Sequence, residues 1–170
     1  MRKEAQNKNR FVEYSRQKTI KDLGQLRAPI AVKINTTIRE VIELYNKNRT
    51  GSVLVYDKRE KIIGIFTERD LLQKILNKGI SLDETIEPYI SKPVKTVDSR
   101  TTLGETIKMM TEGGFRHLPV VEGERAVAVL SCRTLIRHIS EVYPGAVFNL
   151  PPKFDQKFDT PHGAQDEKRN

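Results

Sequence analysis

Apolar residues in this chain follow one pattern that occurs twice. Ile38, Val41, Ile42 and Tyr45 recur at i, i+3, i+4 and i+7, the spacing of one buried stripe on a helix. Leu103, Ile107 and Met110 repeat that stripe further along. Each helix follows a short β-rich run, at 31–34 and at 94–97, and a polar turn. Two more β-rich runs come next, 52–56 and 61–66 in the first case and 117–121 and 125–130 in the second. The connectors Asp57-Lys58-Arg59-Glu60 and Glu122-Gly123-Glu124 suit hairpins. A second helix closes each series, over 68–76 and 132–139, with Leu71, Leu72, Ile75 and Leu76 apolar in the first. The predicted order is β-α-β-β-α, twice.

The two series align residue by residue. Thr37, Ile38, Ile42, Val53 and Val55 match Thr102, Leu103, Ile107, Leu118 and Val120 at an offset of 65. After one gap the offset is 64, pairing Ile63 with Val127, Ile65 with Val129, Thr67 with Ser131 and Leu71 with Leu135. Thr37 and Thr102 are natural N-caps, with Glu40 and Glu105 three residues on, as a capping box requires. A unit of about 50 residues buries only a marginal core, so the halves are expected to pack together. The fold class read from this is α/β (α+β): two pseudo-symmetric units forming one module between flexible tails. The expected organisation is a basic arm at 1–27, a first unit at 28–78, a connector at 79–93, a second unit at 94–143 and an extended tail at 144–170. Pro151, Pro152 and Pro161 mark that tail, and Phe148, Phe154 and Phe158 are the docking points expected in it.

Composition narrows the class of protein. The chain has 170 residues, of which 37% are hydrophobic and 31% charged. Its one cysteine, Cys132, excludes an intramolecular disulfide and a multi-cysteine zinc site. Three scattered histidines argue against a histidine metal cluster. Met1 is followed by Arg2, Lys3 and Glu4 rather than an apolar stretch, and no apolar run approaches the roughly 18 residues of a membrane helix. The expected location is cytoplasmic, with no membrane partner. The net charge is +8, and residues 1–27 hold eight basic and three acidic residues. Such an arm suits phosphate polyanions. No aromatic residues alternate with its charges, so a solvated arm is the favoured reading over a nucleic-acid grip.

One local motif carries chemistry, Gly64-Ile65-Phe66-Thr67-Glu68-Arg69-Asp70, where a strand feeds a helix. Gly64 permits close backbone approach. Thr67 can cap the helix and present a hydroxyl to a ligand. Asp70, in the first turn, can accept hydrogen bonds from a ribose diol. An ordinary helix cap, with Asp70 facing the positive end of the dipole, explains the same residues, and physics alone favours it.

The tandem β-α-β-β-α units and the GIFTERDLL run resemble a pair of CBS domains forming one Bateman module, over roughly residues 28–140. The run of glycine, apolar, any, Thr/Ser, any, any, Asp is that family's nucleotide signature, and Phe115-Arg116-His117-Leu118-Pro119-Val120-Val121 looks like its second-strand start. The resemblance implies a regulatory sensor binding AMP, ADP, ATP, NAD or S-adenosylmethionine between the units. It also implies a disc-shaped homodimer and a regulated partner protein. Carried over by position, Asp70 would hold the ribose hydroxyls and Thr67 the ribose or phosphate. Lys33, Ile34 and Asn35 would flank the adenine, Val53 and Ile65 would form apolar walls, and Arg116 and His117 would face phosphates from the other unit. Gly64 would belong to the same site.

The second unit departs from the signature. Its run is Ala128-Val129-Leu130-Ser131-Cys132-Arg133-Thr134. Ser131 keeps the hydroxyl, but Thr134 replaces the aspartate, so a degenerate second site at Ser131, Arg133 and Thr134 is expected. No GxSxG, HExxH or GxxxxGK[ST] run occurs, and a CBS pair standing alone is not expected to be an enzyme or to carry a covalent cofactor. Two rivals remain open: a ligand-free dimeric scaffold, and a nucleic-acid binder that uses the basic arm.

Overall fold

The computed structural model describes residues 2–24 and 26–143. Helix α1 spans Arg2–Gln17, followed by a 3-10 turn at Ile20–Leu23. The first unit comprises β1 (Ala31–Lys33), α2 (Ile38–Asn48), β2 (Ser52–Tyr56), β3 (Ile62–Thr67) and α3 (Glu68–Asp70). Leu71–Ile75 continue α3 as a π-helical turn, closed by the Leu76 N–H donating to the Leu71 carbonyl. The second unit comprises β4 (Val97–Asp98), α4 (Leu103–Gly113), β5 (His117–Glu122), β6 (Arg125–Ser131) and α5 (Cys132–Val142). The tail expected at 144–170, with its three phenylalanines, lies outside the described residues.

The two units have the same topology. Each sheet has three strands, in the order β1-β2-β3 and β4-β5-β6. The first pair in each is parallel and the second antiparallel. Both capping boxes form: the Thr37 and Thr102 side chains accept from the Glu40 and Glu105 N–H groups, and each glutamate accepts in return from its threonine. Alternation along β2 and β3 puts Val53, Val55 and Phe66 into a core with Ile38 and Val41 of α2. Tyr45 joins that core and donates from its hydroxyl to the Phe66 carbonyl at 2.7 Å. Burial pushes its phenol up, and the nearby Asp70 and Glu68 charges add to the shift.

Neither core is built from its own unit alone. Ile86 and Ile90, in the segment expected only to connect, are buried in the first core. Ile20, in the segment expected to be a free arm, is fully buried in the second. Matching hydrogen bonds seat the two segments. The Ile38 N–H donates to the Glu84 carbonyl and the Ile86 N–H to Thr36, at 3.0 and 2.9 Å. The Leu103 N–H donates to Lys18 and the Ile20 N–H to Thr101, at 2.8 and 3.0 Å. The arm expected at 1–27 is therefore corrected over 9–24. Tyr14 packs on the second core, and its hydroxyl lies 2.7 Å from His138 Nε2 of α5. A lone isoleucine in a polar stretch has no period to announce its burial.

The chain then passes from one unit to the other. The Arg27 carbonyl accepts from Val129 of β6 at 3.2 Å, and the Ile30 carbonyl accepts from Leu54 of β2 at 2.8 Å. Burial of Ile20 gives a direct test. Ile20→Ala should cost about 2–5 kcal/mol, as for other fully buried isoleucines. Urea denaturation measures this; a change within about 0.5 kcal/mol, as at an exposed site, would show that the segment is dispensable.

Candidate functional site

The site is built where β3 turns into α3. Thr67 leaves the strand with extended backbone angles, and its side chain caps the helix by accepting from the Asp70 N–H at 3.2 Å. Asp70 replies through Oδ2, which accepts from the Thr67 N–H at 2.9 Å and from its hydroxyl at 2.6 Å. The other carboxylate oxygen faces different partners. Oδ1 accepts from the Ser91 hydroxyl at 2.8 Å and from Lys74 Nζ at 2.6 Å. Asp70 is 6% exposed, and it is the one buried acidic residue among the described residues.

Burial by itself would push the Asp70 carboxyl up. Hydrogen bonds from Lys74, Thr67 and Ser91 outweigh it and hold the group below the usual carboxylate range. Lys74 is held in turn: its ammonium also donates to the Tyr89 carbonyl at 2.7 Å and to the Ser91 hydroxyl at 3.2 Å.

The second unit reaches this helix start. Arg69 donates from Nη1 to the Gly114 carbonyl at 2.9 Å, just before β5 begins. His117, the first residue of β5, is half-buried and pairs with Ser131 across the hairpin. Burial pushes its imidazole below the usual value; Arg116 and Arg69 push the same way, and Glu68 opposes them. Arg116, which precedes His117 at this start of β5, is exposed.

Other expected site residues lie elsewhere. In the β1-β2-β3 sheet Ser52 pairs with Thr67, whereas Lys33 pairs with Tyr56, four residues further along β2. At about 3.3 Å per residue, Lys33, Ile34 and Asn35 sit some 13 Å from the Thr67 end. They cannot flank a base held beside Asp70. Because β1 runs parallel to β2, its N-terminal end, near Ile30, approaches that edge instead. Val53 is fully buried in the first core and offers no wall to a ligand. Ile65 pairs with Leu54 on the opposite face of the sheet and remains half-buried. Gly64 serves packing: a Cβ there would lie 2.5 Å from Ile90 Cδ1. The glycine leaves room for the connector, not for a ligand.

The second helix start is a weaker copy. The Ser131 hydroxyl accepts from the Thr134 N–H at 3.2 Å and lies 3.0 Å from the Thr134 hydroxyl. No carboxylate stands there, and Arg133 is exposed. Sequence reasoning missed Lys74, Ser91 and the role of Arg69. Lys74 was legible as an i+4 partner of Asp70; Ser91, 21 residues away, carried no signal. Among the described residues no group of three His, Cys, Asp or Glu side chains could hold a metal ion. No helix there is long and apolar enough to cross a membrane.

The depressed carboxyl of Asp70 has a signed consequence. Its stabilisation is present above the unfolded carboxyl value, about 4, and is lost as pH falls through the lower folded value. At neutral pH, Asp70→Asn should be less stable than wild type by about 1–3 kcal/mol. The gap should close below about pH 4. Urea denaturation of both chains across pH reads the difference; a gap that stays constant down to pH 2 would mean that the charge of Asp70 does not stabilise the fold.

Comparison with known proteins agrees with this architecture. The sequence profile of the CBS domain family matches residues 20–77 and 86–141, more than half of the chain. The first match begins at Ile20, the residue that completes the second core. A 17.7 kDa protein of Acidianus ambivalens is 34% identical over 113 residues, covering 66% of this chain and 68% of that one. A CBS domain-containing protein of Arabidopsis thaliana is 34% identical over 119 residues, 69% of this chain but only 22% of its own length. Among solved structures, a CBS domain protein from Pyrobaculum aerophilum complexed with AMP is 28% identical, with a TM-score of 0.62, covering 69% of this chain and 89% of that one. Repeat, topology and profile coincide: the chain belongs to the CBS domain family and carries a tandem pair of such domains.

Proposed function

We propose that the chain is a regulatory module that binds an adenosine-type ligand at the α3 start of its first unit and acts through a partner protein rather than by catalysis. The observation that carries this reading is Asp70, a buried carboxylate at a helix start that the second unit reaches through Arg69 and Gly114. A carboxylate so placed is suited to the two hydroxyls of a ribose. The AMP complex of the Pyrobaculum aerophilum relative supports the ligand class. Thr67 would share the ribose or phosphate, and Arg116 and His117 would meet phosphate oxygens from the second unit. The Ser131–Thr134 cap, without an acid, would bind such a ligand weakly or not at all.

The nucleic-acid reading needs a free basic arm, and it loses support because Tyr14 and Ile20 are committed to the second core. The homodimer part of the reading rests on apolar side chains left outside: Leu72 is 60% exposed, Leu76 54% and Ile136 58%. Such a surface suits a second copy of the chain.

Two measurements test this. A thermal-shift panel with AMP, ATP, NAD and S-adenosylmethionine should find a stabilising compound, by about 2.7 kcal/mol at 100 times its dissociation constant. Asp70→Ala should abolish that shift; a panel without response in wild type would remove the adenosine reading. Sedimentation should give a dimer that Leu72→Glu with Ile136→Glu converts to a monomer. A dimer unchanged by both substitutions would exclude this face.

A further inference from the structure

Asp70 has no acceptor position to spare. A carboxylate offers about four. In this chain all four are used, by the Thr67 N–H, the Thr67 hydroxyl, the Ser91 hydroxyl and Lys74. A ribose diol can reach this carboxylate only by displacing donors already there. The two oxygens are unequal in what displacement would disturb. The bonds to Oδ2 come from Thr67, three residues away, and form the helix cap itself. The bonds to Oδ1 come from Ser91 in the connector and from Lys74, which also holds the connector through Tyr89 and Ser91.

We infer that Lys74 and Ser91 form a clamp that competes with the ligand for Oδ1 of Asp70, so that an occupied site loosens the connector from the first unit. The inference rests on the adenosine reading of that site. Lys74 is a positioning residue here. Asp70 is the anchor that fixes the Lys74 ammonium against Tyr89 and Ser91; once displaced, the 36% exposed lysine side chain can turn to water, and its hold on the connector goes with it.

The connector is well placed to report the exchange. The Ser91 N–H donates to the Ile65 carbonyl at 2.8 Å and the Ile65 N–H to the Ser91 carbonyl at 3.2 Å, a single bridge on the edge of β3. Ile90 beside it is seated over Gly64 in the first core. A few residues later the same segment enters β4 of the second unit. Release at Ser91 is therefore passed along the backbone towards the other domain. The second unit has no equivalent device. His138 stands at the position of Lys74 at the repeat offset of 64, and it bonds the Tyr14 hydroxyl while Thr134 replaces the acid. The ligand-sensitive clamp belongs to the first unit only. Regulation by such a device requires that the ligand bind the clamped and released states unequally, and competition for one oxygen supplies that difference.

Hydrogen exchange with mass spectrometry on the full chain tests this, with AMP and S-adenosylmethionine as probes. Binding should raise exchange severalfold at the amides of Tyr89, Ile90 and Ser91. Ser91→Ala and Lys74→Met should show that raised exchange without ligand. Both should also bind the probe more tightly, by up to about tenfold, since a competitor has been removed. If Lys74→Met does not fold, Ser91→Ala, which loses one hydroxyl, carries the test. Binding without any change at the connector overturns the clamp and leaves the adenosine reading standing. Weaker binding by the variants also overturns it, because Lys74 and Ser91 would then be ligand contacts. A wild-type chain that binds neither probe overturns the adenosine reading and the clamp together.

Discussion

The rest of the structure depends on two borrowed isoleucines. Ile20 fills the second core from before the first unit begins, and Ile86 fills the first core from after that unit ends. Each is fully buried, and each is locked by a backbone pair at the start of the facing helix. Units of about 50 residues are marginal alone. Exchanging segments makes each core dependent on chain that lies outside its own repeat. It also leads the chain across the sheets at 27–30, where Arg27 bonds one sheet and Ile30 the other.

On that frame one local device recurs with different surroundings. Thr37 with Glu40, Thr102 with Glu105, and Thr67 with Asp70 are the same reciprocal cap. Glu40 and Glu105 are exposed and do nothing beyond capping. Asp70 is shorter, sits under the connector and meets a serine and a lysine as well. A carboxylate in water gains little from further partners. A buried one must have them, because an unpaired charge away from solvent is costly. Burial turns an ordinary cap into a group whose every acceptor position has consequences.

Much of this was legible before any coordinates. The stripe Ile38, Val41, Ile42, Tyr45, the threonine caps and the GIFTERD run follow from spacing of a few residues. The repeat offset locates their counterparts. That Lys33, Ile34 and Asn35 lie at the far end of the sheet from Asp70, and Val53 inside the core, was not legible, because it depends on the pairing register. Only the alignment of Ser52 with Thr67 and of Lys33 with Tyr56 shows which end of the sheet faces Asp70. Gly64 was legible as a close approach, but not what approached: it was Ile90, not a ligand.

The division follows the range of the forces. Alone, the sequence determined the two β-α-β-β-α units, their caps and the signature at 64–70, because periodic burial and capping are set by residues within a turn or two. Tertiary structure decided which lone isoleucine completes which core, which cap is buried and what meets the second oxygen of Asp70. Apart from Lys74, four residues from Asp70, those partners lie 20 or more residues apart, as Ser91 lies 21 from Asp70. A single serine or isoleucine in a polar stretch has no period, so only the folded chain brings it to its place.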